Sequence, residues 1–282
     1  MQDARYRIQI STILPQTEML IMHSQHITMT GEEFQRMPRR LGWKYEYWDG
    51  QAHISPGYQI VTVSIEIKPR PVESACHIQA VDERDEAQLI SAYFAAFSET
   101  TEFCDWKREK ILDAARKDIQ EFLAGKRGNP HPSSRVAVAS GEESIVGATL
   151  VICGEPPCLQ MLFVIPEWHR RGVATALVSS AVNELHRAEI KTLESRYLLG
   201  NEGSRAWHQE FGFVEQPDLF LARLYYRHAQ YELWRREEIG DLIEAERKAL
   251  SSEVNRWKVR IDELEGIAER EGIEAVLPEP WR

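Results

Sequence analysis

The chain has 282 residues, room for one large or two modest domains, and its balance of 43% hydrophobic to 28% charged residues is that of a folded protein with its own core. A net charge of −10 argues against nonspecific nucleic-acid binding, which needs a basic surface, and suits a cationic substrate. No stretch is apolar for the roughly 18 residues that a membrane-spanning helix needs, and the N-terminus MQDARYRIQI lacks the basic-then-apolar pattern of a secretory signal, so a cytoplasmic protein with no membrane partner is expected.

Residues 1–25 give no clear periodic signal. Thr30-Gly31-Glu32-Glu33 then reads as a capping box opening a short helix through Met37, stopped at Pro38. Trp43, Tyr45 and Tyr47 alternate with polar neighbours up to Asp49-Gly50, a strong hairpin signal, and Gln51 to Ser55 form the return strand. A third strand follows in the alternation of Val61, Val63, Ile65 and Ile67. Together these make a small α+β module over residues 1–71, closed by the breaker Pro69-Arg70-Pro71.

Two helices are predicted next, Glu83 to Phe97 and Phe103 to Leu123, followed by a meander of strands at Arg135 to Ser140, Ser144 to Ile152 and Cys158 to Ile165. The first two of these strands are joined by the turn Gly141-Glu142-Glu143. A helix from Gly172 to His186, a strand from Ile190 to Leu199, a helix around Gly203 to Glu210 and a strand at Leu219 to Tyr225 complete the order ααβββαβαβ over residues 75–235. From Asp241, in a second capping box with Glu244, one long helix runs to near Gly272, giving a third segment at 241–272. Its residues Leu250, Val254, Trp257, Ile261, Leu264 and Ala268 alternate four and three apart as a seam, either docked on its own domain or forming a homodimer contact. Cys76, Cys104, Cys153 and Cys158 have no zinc-finger spacing, so free thiols and no metal are expected.

Chemistry concentrates in Leu162-Phe163-Val164-Ile165-Pro166-Glu167-Trp168-His169-Arg170-Arg171-Gly172-Val173-Ala174-Thr175. A buried strand runs into a proline, a basic glycine-containing turn and a helix whose Val173, Leu177 and Ala181 share one face. Such a turn leaves unpaired backbone N–H groups at a helix N-terminus, where they and the helix dipole favour an anion such as a phosphate.

This stretch resembles the acetyl-CoA-binding motif of the GNAT superfamily of acetyltransferases: Gln or Arg, two residues, Gly, one residue, Gly or Ala. His169 stands in the first place, Gly172 in the second and Ala174 in the third. A second match, Asn201-Glu202-Gly203-Ser204-Arg205-Ala206-Trp207-His208-Gln209-Glu210-Phe211-Gly212-Phe213, is similar to the family's downstream helix, with His208 where a tyrosine usually protonates the departing thiolate. The resemblance implies a mixed, mostly antiparallel α+β sheet flanked by helices, and acetyl transfer from acetyl-CoA directly to a primary amine. It implies coenzyme contacts at Phe163, Val164, His169, Arg170, Arg171, Gly172, Val173, Ala174, Thr175, Asn201 and Ser204. It also implies an oxyanion contact from the Val164 backbone and a general acid at His208, an imidazolium being a competent donor near neutral pH.

For the general base, Cys158 and Gln160 occupy the places where family members that use one put a glutamate, leaving Glu155, Glu167 or a water chain. The acceptor, a small-molecule or peptide amine, is expected around Phe94 to Asp105, where Tyr93, Phe94, Phe97 and Phe103 accompany Glu99, Glu102 and Asp105. The alternative reading is a noncatalytic acyl-CoA-binding or interaction protein, favoured by His208 and the missing glutamate. Residues 27–57 are also similar to the opening helix and hairpin of certain PD-(D/E)XK restriction-endonuclease-like proteins, with Glu46 and Asp49 as candidate acids. The chain passes into the acetyltransferase region before an Asp…Glu-x-Lys set appears, so the module reads as an appended cap.

Overall fold

Thr30 starts the first helix in the predicted way. Its hydroxyl accepts from the Glu33 N–H at 3.2 Å while the Glu33 carboxylate takes the Thr30 N–H at 2.7 Å, and α1 (Gly31–Arg36) follows. The computed structural model describes residues 23–141 and 143–271. Residues 1–22 of the expected N-terminal module, Glu142 of the expected turn and Gly272 lie outside the described residues. Around α1, β1 (Gln25–Thr28), β2 (Trp43–Trp48) and β3 (Gln51–Pro56) form an antiparallel sheet in the order β1-β3-β2, with Trp48 opposite Gln51 across the Asp49–Gly50 turn.

The strand expected third in this unit leaves it. β4 (Ile60–Glu66) pairs instead with β9 (Thr192–Leu198) along its whole length, and Val61, Val63 and Ile65 are buried in the main core. Their apolar face meets Val178, Leu185, Phe211 and Tyr225, a larger burial than the three-stranded sheet supplies. The main sheet has seven strands. They comprise β4 and β9 with β5 (Cys76–Ala80), β6 (Arg135–Ala139), β7 (Ile145–Ile152), β8 (Cys158–Val164) and β10 (Val214–Glu215), in the order β10-β4-β9-β8-β7-β6-β5. All neighbours are antiparallel except β8 and β9. The short edge strand β5 was not foreseen, because only Cys76 and Ile78 alternate inward.

On one face α2 (Glu86–Phe97) and α3 (Arg108–Leu123) pack through Leu89, Ile119 and Phe122. On the other lies α4 (Val173–Arg187), with Val173, Leu177 and Leu185 inward. α5 (Glu202–Phe211) follows β9. The strand expected at Leu219 to Tyr225 is the start of α6 (Leu219–Glu238). Asp218 caps it by accepting the Leu221 N–H at 2.8 Å, Leu221, Ala222, Tyr225 and Ala229 bury one helical stripe, and β4 already fills the place beside β9.

α7 (Glu244–Glu271) begins after Asp241, whose carboxylate accepts from Arg236 at 2.9 Å rather than capping the helix. It runs back along α6, tied by Arg223–Glu265 at 2.5 Å and by Tyr225 against Trp257. The seam residues Trp257, Ile261 and Leu264 enter this chain's own core, so those three are spent within the molecule. Among the described residues no helix is long and apolar enough to cross a membrane, and no group of three or more His, Cys, Asp or Glu is set to hold a metal ion.

The three-stranded sheet is seated on the C-terminal end of β9 through backbone. A Cβ on Gly42 would lie 2.2 Å from the Gly200 nitrogen, and one on Gly200 would lie 2.9 Å from the Gly42 oxygen, so two glycines are required where the segments cross. Gly42 O also accepts the Gly57 N–H at 2.7 Å.

Candidate active site

Between β8 and β9 the sheet opens. The two are parallel, yet only Cys158↔Glu194 and Leu159↔Ser195 pair, and a register shift between Leu150 and Val151 on β7 leaves Gln160 as an extra residue opposite. Beyond it, Ile165 N–H donates to Val146 O at 2.9 Å. By the alternation of an antiparallel ladder, the N–H and C=O of Val164 therefore face away from β7 into the gap. The Val164 carbonyl there accepts from His169 Nε2 at 2.8 Å. His169 thus fastens the turn to the strand.

The turn runs through Pro166–Trp168 and then Arg170 and Gly172, both left-handed with φ of 61° and 76°, into α4. Gly172 is the N-cap and carries no side chain, while Ala176 donates to Gly172 O. The N–H groups of Val173, Ala174 and Thr175 consequently leave the helix end without a helical acceptor. A Cβ on Gly172 would meet nothing within 4 Å, so the space over these groups is open. Arg170 and Arg171 are exposed beside it, Arg171 lying over the Trp168 ring at 4.9 Å. This combination of donors, dipole and positive charge fits an anion such as a pyrophosphate. The Val173 side chain is buried beneath, so its contribution to the turn is its backbone.

Three further residues expected to contact the coenzyme lie outside this turn. Phe163 is 4% exposed, its ring against Tyr93 and Phe97, and its amide faces β7 by the same alternation that frees Val164. Its side chain lies in the core on the α2–α3 side of the sheet. Asn201 caps α5, accepting the Ser204 N–H at 2.9 Å and donating Nδ2 to Glu102 Oε1 at 2.6 Å. Ser204 sits in the same turn, with its hydroxyl 3.4 Å from His208 Nδ1.

His208, 4% exposed, is packed among Tyr197, Trp207 and Phe213. Its Nδ1 lies 2.8 Å from Ser204 O, a pure acceptor, so Nδ1 carries the proton and Nε2 accepts from the Ser195 hydroxyl at 2.9 Å. Burial pushes its pKa below the ordinary histidine value, against a smaller upward pull from Ser204 O, so the neutral ring is the favoured form. Beside it, burial pushes the Glu215 carboxyl up, but hydrogen bonds from Tyr197 and Tyr225 and the Arg205 guanidinium outweigh that and hold it below the carboxylate range.

At the C-terminal end of β9 lies a cleft of about 700 Å³. Of the residues expected around an acceptor, Glu102 and Asp105 line it. Tyr93, Phe94, Phe97 and Phe103 pack instead against the α2–α3 core, and Glu99 is exposed outside the cleft. The cleft's other walls were not legible as a site. Tyr58, 84% exposed between β3 and β4, stands in one of them, and its exposure is set by the fold and not by any pattern of neighbouring residues.

Residues 132–215, from the approach to β6 through β10, match the family model for the acetyltransferase (GNAT) domain, and the mixed, mostly antiparallel sheet flanked by helices is consistent with a GNAT-type fold. No such correspondence supports the nuclease-like reading of the N-terminal segment, whose hairpin instead seats on β9. No curated protein matches the chain. Among solved structures, it is similar to a conserved protein of unknown function from Staphylococcus epidermidis, at 14% identity, covering 56% of this chain and 57% of that one, with a TM-score of 0.43. It is also similar to the aminoglycoside N-acetyltransferase AAC(6')-Iy in complex with CoA, at 20% identity over 52% of this chain and 93% of that one, TM-score 0.39. A third is the PaiA N-acetyltransferase from Thermoplasma acidophilum in complex with coenzyme A, at 16% identity over 49% and 89%, TM-score 0.39. The chain thus spans little more than half the length of the Staphylococcus protein.

Proposed function

We propose that this protein is an N-acetyltransferase that moves an acetyl group from acetyl-CoA to a primary amine by direct transfer. The observation that carries the reading is the turn ahead of α4, where three free N–H groups, a left-handed Gly172 and two exposed arginines face open space one strand-end from the unpaired Val164 N–H. In this reading the N–H groups of Val173, Ala174 and Thr175 hold the coenzyme pyrophosphate, and Arg170 and Arg171 add charge. The coenzyme supplies the acetyl thioester. Val164 N–H donates to the carbonyl oxygen as negative charge develops there, and His169 steadies that strand end. The neutral amine nitrogen forms the C–N bond as the C–S bond breaks; the nitrogen releases a proton and the thiolate takes one up. A thiol of ordinary pKa, about 8.5, leaves well enough that no dedicated strong acid is required.

The burial of His208, with both ring nitrogens engaged, favours a second reading, coenzyme binding without turnover. Calorimetry with acetyl-CoA tests both. Wild type should bind, Gly172→Ala should bind somewhat more weakly through a strained left-handed alanine, and Gly172→Glu should lose about a hundredfold through like-charge repulsion. Folded wild type that binds no acetyl-CoA ends the reading. Binding with no acetyl transfer to any of a panel of primary amines leaves the second one.

A further inference from the structure

One wall of the cleft at the end of β9 is the α2–α3 connection, which contributes Thr101, Glu102 and Cys104 to Trp106. This connection is tied down from two sides. From the core, Asn201 at the N-cap of α5 donates to Glu102 Oε1. From the N-terminal sheet, the two residues leading into β1 reach across to it. His23 Nδ1 donates to Cys104 O, and Ser24 gives the Asp105 carboxylate its N–H at 3.0 Å and its hydroxyl at 2.5 Å. His23 and Ser24 thus form a strap over the cleft wall, anchored by the pairing of β1.

That anchor is slight. Among the described residues β1 is an edge strand of four residues, with Ile27 as its one apolar side chain. His26 stands directly opposite His53 on β3. The two imidazoles meet edge to face with centroids 4.4 Å apart, and His53 in turn stacks on Trp48 at 3.4 Å, nearly parallel. Neutral rings pack well in this way, whereas two imidazolium ions facing each other across a strand pair repel. The carboxylates that face His53 are Glu46, opposite it on β2, and Asp49 in the hairpin turn, and Lys44 already engages Glu46 at 2.7 Å. Burial pushes His53 below the ordinary histidine value and His26 adds to this, outweighing the upward pull of Glu46 and Asp49. Lifting β1 takes His26 away, so the lifted form binds a proton more readily than the paired one. Pairing is therefore fully present above about pH 6.5 and weakens as pH falls through the lowered value of His53.

We propose that the His26–His53 pair is an acid-sensitive latch on this strap: when both rings are charged, β1 unpairs and the α2–α3 connection is released from the N-terminal sheet, loosening the cleft wall. The strap's own contacts do not carry the response. Burial raises the Asp105 carboxyl, but the bonds from Ser24 and the nearby His23 outweigh it and hold the group below its usual range, so it stays charged at pH 5. A proton on His23 draws it toward Asp105 and leaves its bond to Cys104 O in place. With β1 lifted, the connection keeps its Asn201–Glu102 tie and pivots about it. The latch works whatever the cleft binds and does not depend on acetyl transfer.

The test is hydrogen exchange of the full chain at pH 7.5 and pH 5.0, read by mass spectrometry and corrected for the intrinsic pH dependence of amide exchange, on wild type, His26→Gln and His53→Gln. In wild type, acidification should raise the open fraction of residues 25–28 and of residues 101–106 by about threefold to fivefold, the size expected for like charges facing each other across strands. Both variants should show a flat response in the two segments, and His26, exposed on an edge strand, is a position where the substitution leaves the fold intact. No acid response in wild type, or an equal response in wild type and either folded variant, would overturn the proposal. An acid response confined to residues 25–28 would overturn it too, because β1 would then lift without moving the cleft wall.

Discussion

The turn ahead of α4 draws everything it offers from one unbroken run, Leu162 to Thr175, and most of that is backbone: N–H groups, a left-handed glycine and the strand edge at Val164. The cleft at the end of β9 is assembled from side chains between residues 44 and 221 that meet only because two sheets are docked. The first region depends on the path of the backbone more than on its side chains, and His169 fastens that path by holding Val164 O. The second depends on tertiary contacts at a distance. Damage to the docking should therefore harm the cleft far more than the turn.

The largest effect is expected at Gly42. A methyl there meets the Gly200 backbone at 2.2 Å and forces an L residue to hold φ near 76°, and neither partner is a side chain that can swing aside. Gly42→Ala should cost about 3–5 kcal/mol of stability, combining overpacking with left-handed strain, as measured by urea denaturation. If the variant loses less than about 1 kcal/mol, the sheet is not seated through this crossing. If it stays folded, acetyl-CoA binding at the turn ahead of α4 should be largely retained.

A smaller effect separates the turn from the cleft in the opposite sense. Arg170→Ala and Arg171→Ala remove exposed charges while leaving the N–H groups in place, so each should weaken acetyl-CoA binding only about twofold to fivefold, with the difference shrinking at high salt. A much larger loss from either arginine would mean that side chains, not backbone, carry the anion.

The same contrast explains what could be read from the residues. Most local signals held: the Thr30 capping box, the Asp49–Gly50 hairpin, and the strand, turn and helix from Leu162 onward all stand where their chemistry put them, whereas the Asp241 cap is lost to Arg236. The misassigned elements were those decided by partners far along the chain. Val61, Val63 and Ile65 alternate equally well in a small sheet or a large one, and only the core around Phe211 and Tyr225 selects the second. Leu219 to Tyr225 is apolar enough for a strand, but β4 holds the sheet position and Asp218 caps a helix. The turn ahead of α4 was legible because it is contiguous. Of the cleft, only Glu102 and Asp105 were, because Tyr58 and Asp218 reach it through the fold.

His208 gives the smallest and most specific effect, and it lies between the two regions. Its ring is buried and neutral, donating to Ser204 O and accepting from Ser195, and burial lowers its pKa below the ordinary value near 6.5. Above pH 6.5 the ring is neutral both folded and unfolded, and its contribution to stability is fully present. As pH falls below that value the unfolded chain takes up a proton that the folded core resists, so stability is lost as pH falls through the lowered folded value. Denaturation of wild type and His208→Gln between pH 5 and 8 should show wild type losing more stability on acidification than the variant, with other histidines cancelling in the comparison. If the two fall in parallel, the buried ring is not titrating. A histidine that supplied a proton as an imidazolium near neutral pH would instead have a raised pKa and would make wild type the more acid-resistant of the two, so the sign of this one difference separates a packed histidine from a catalytic acid.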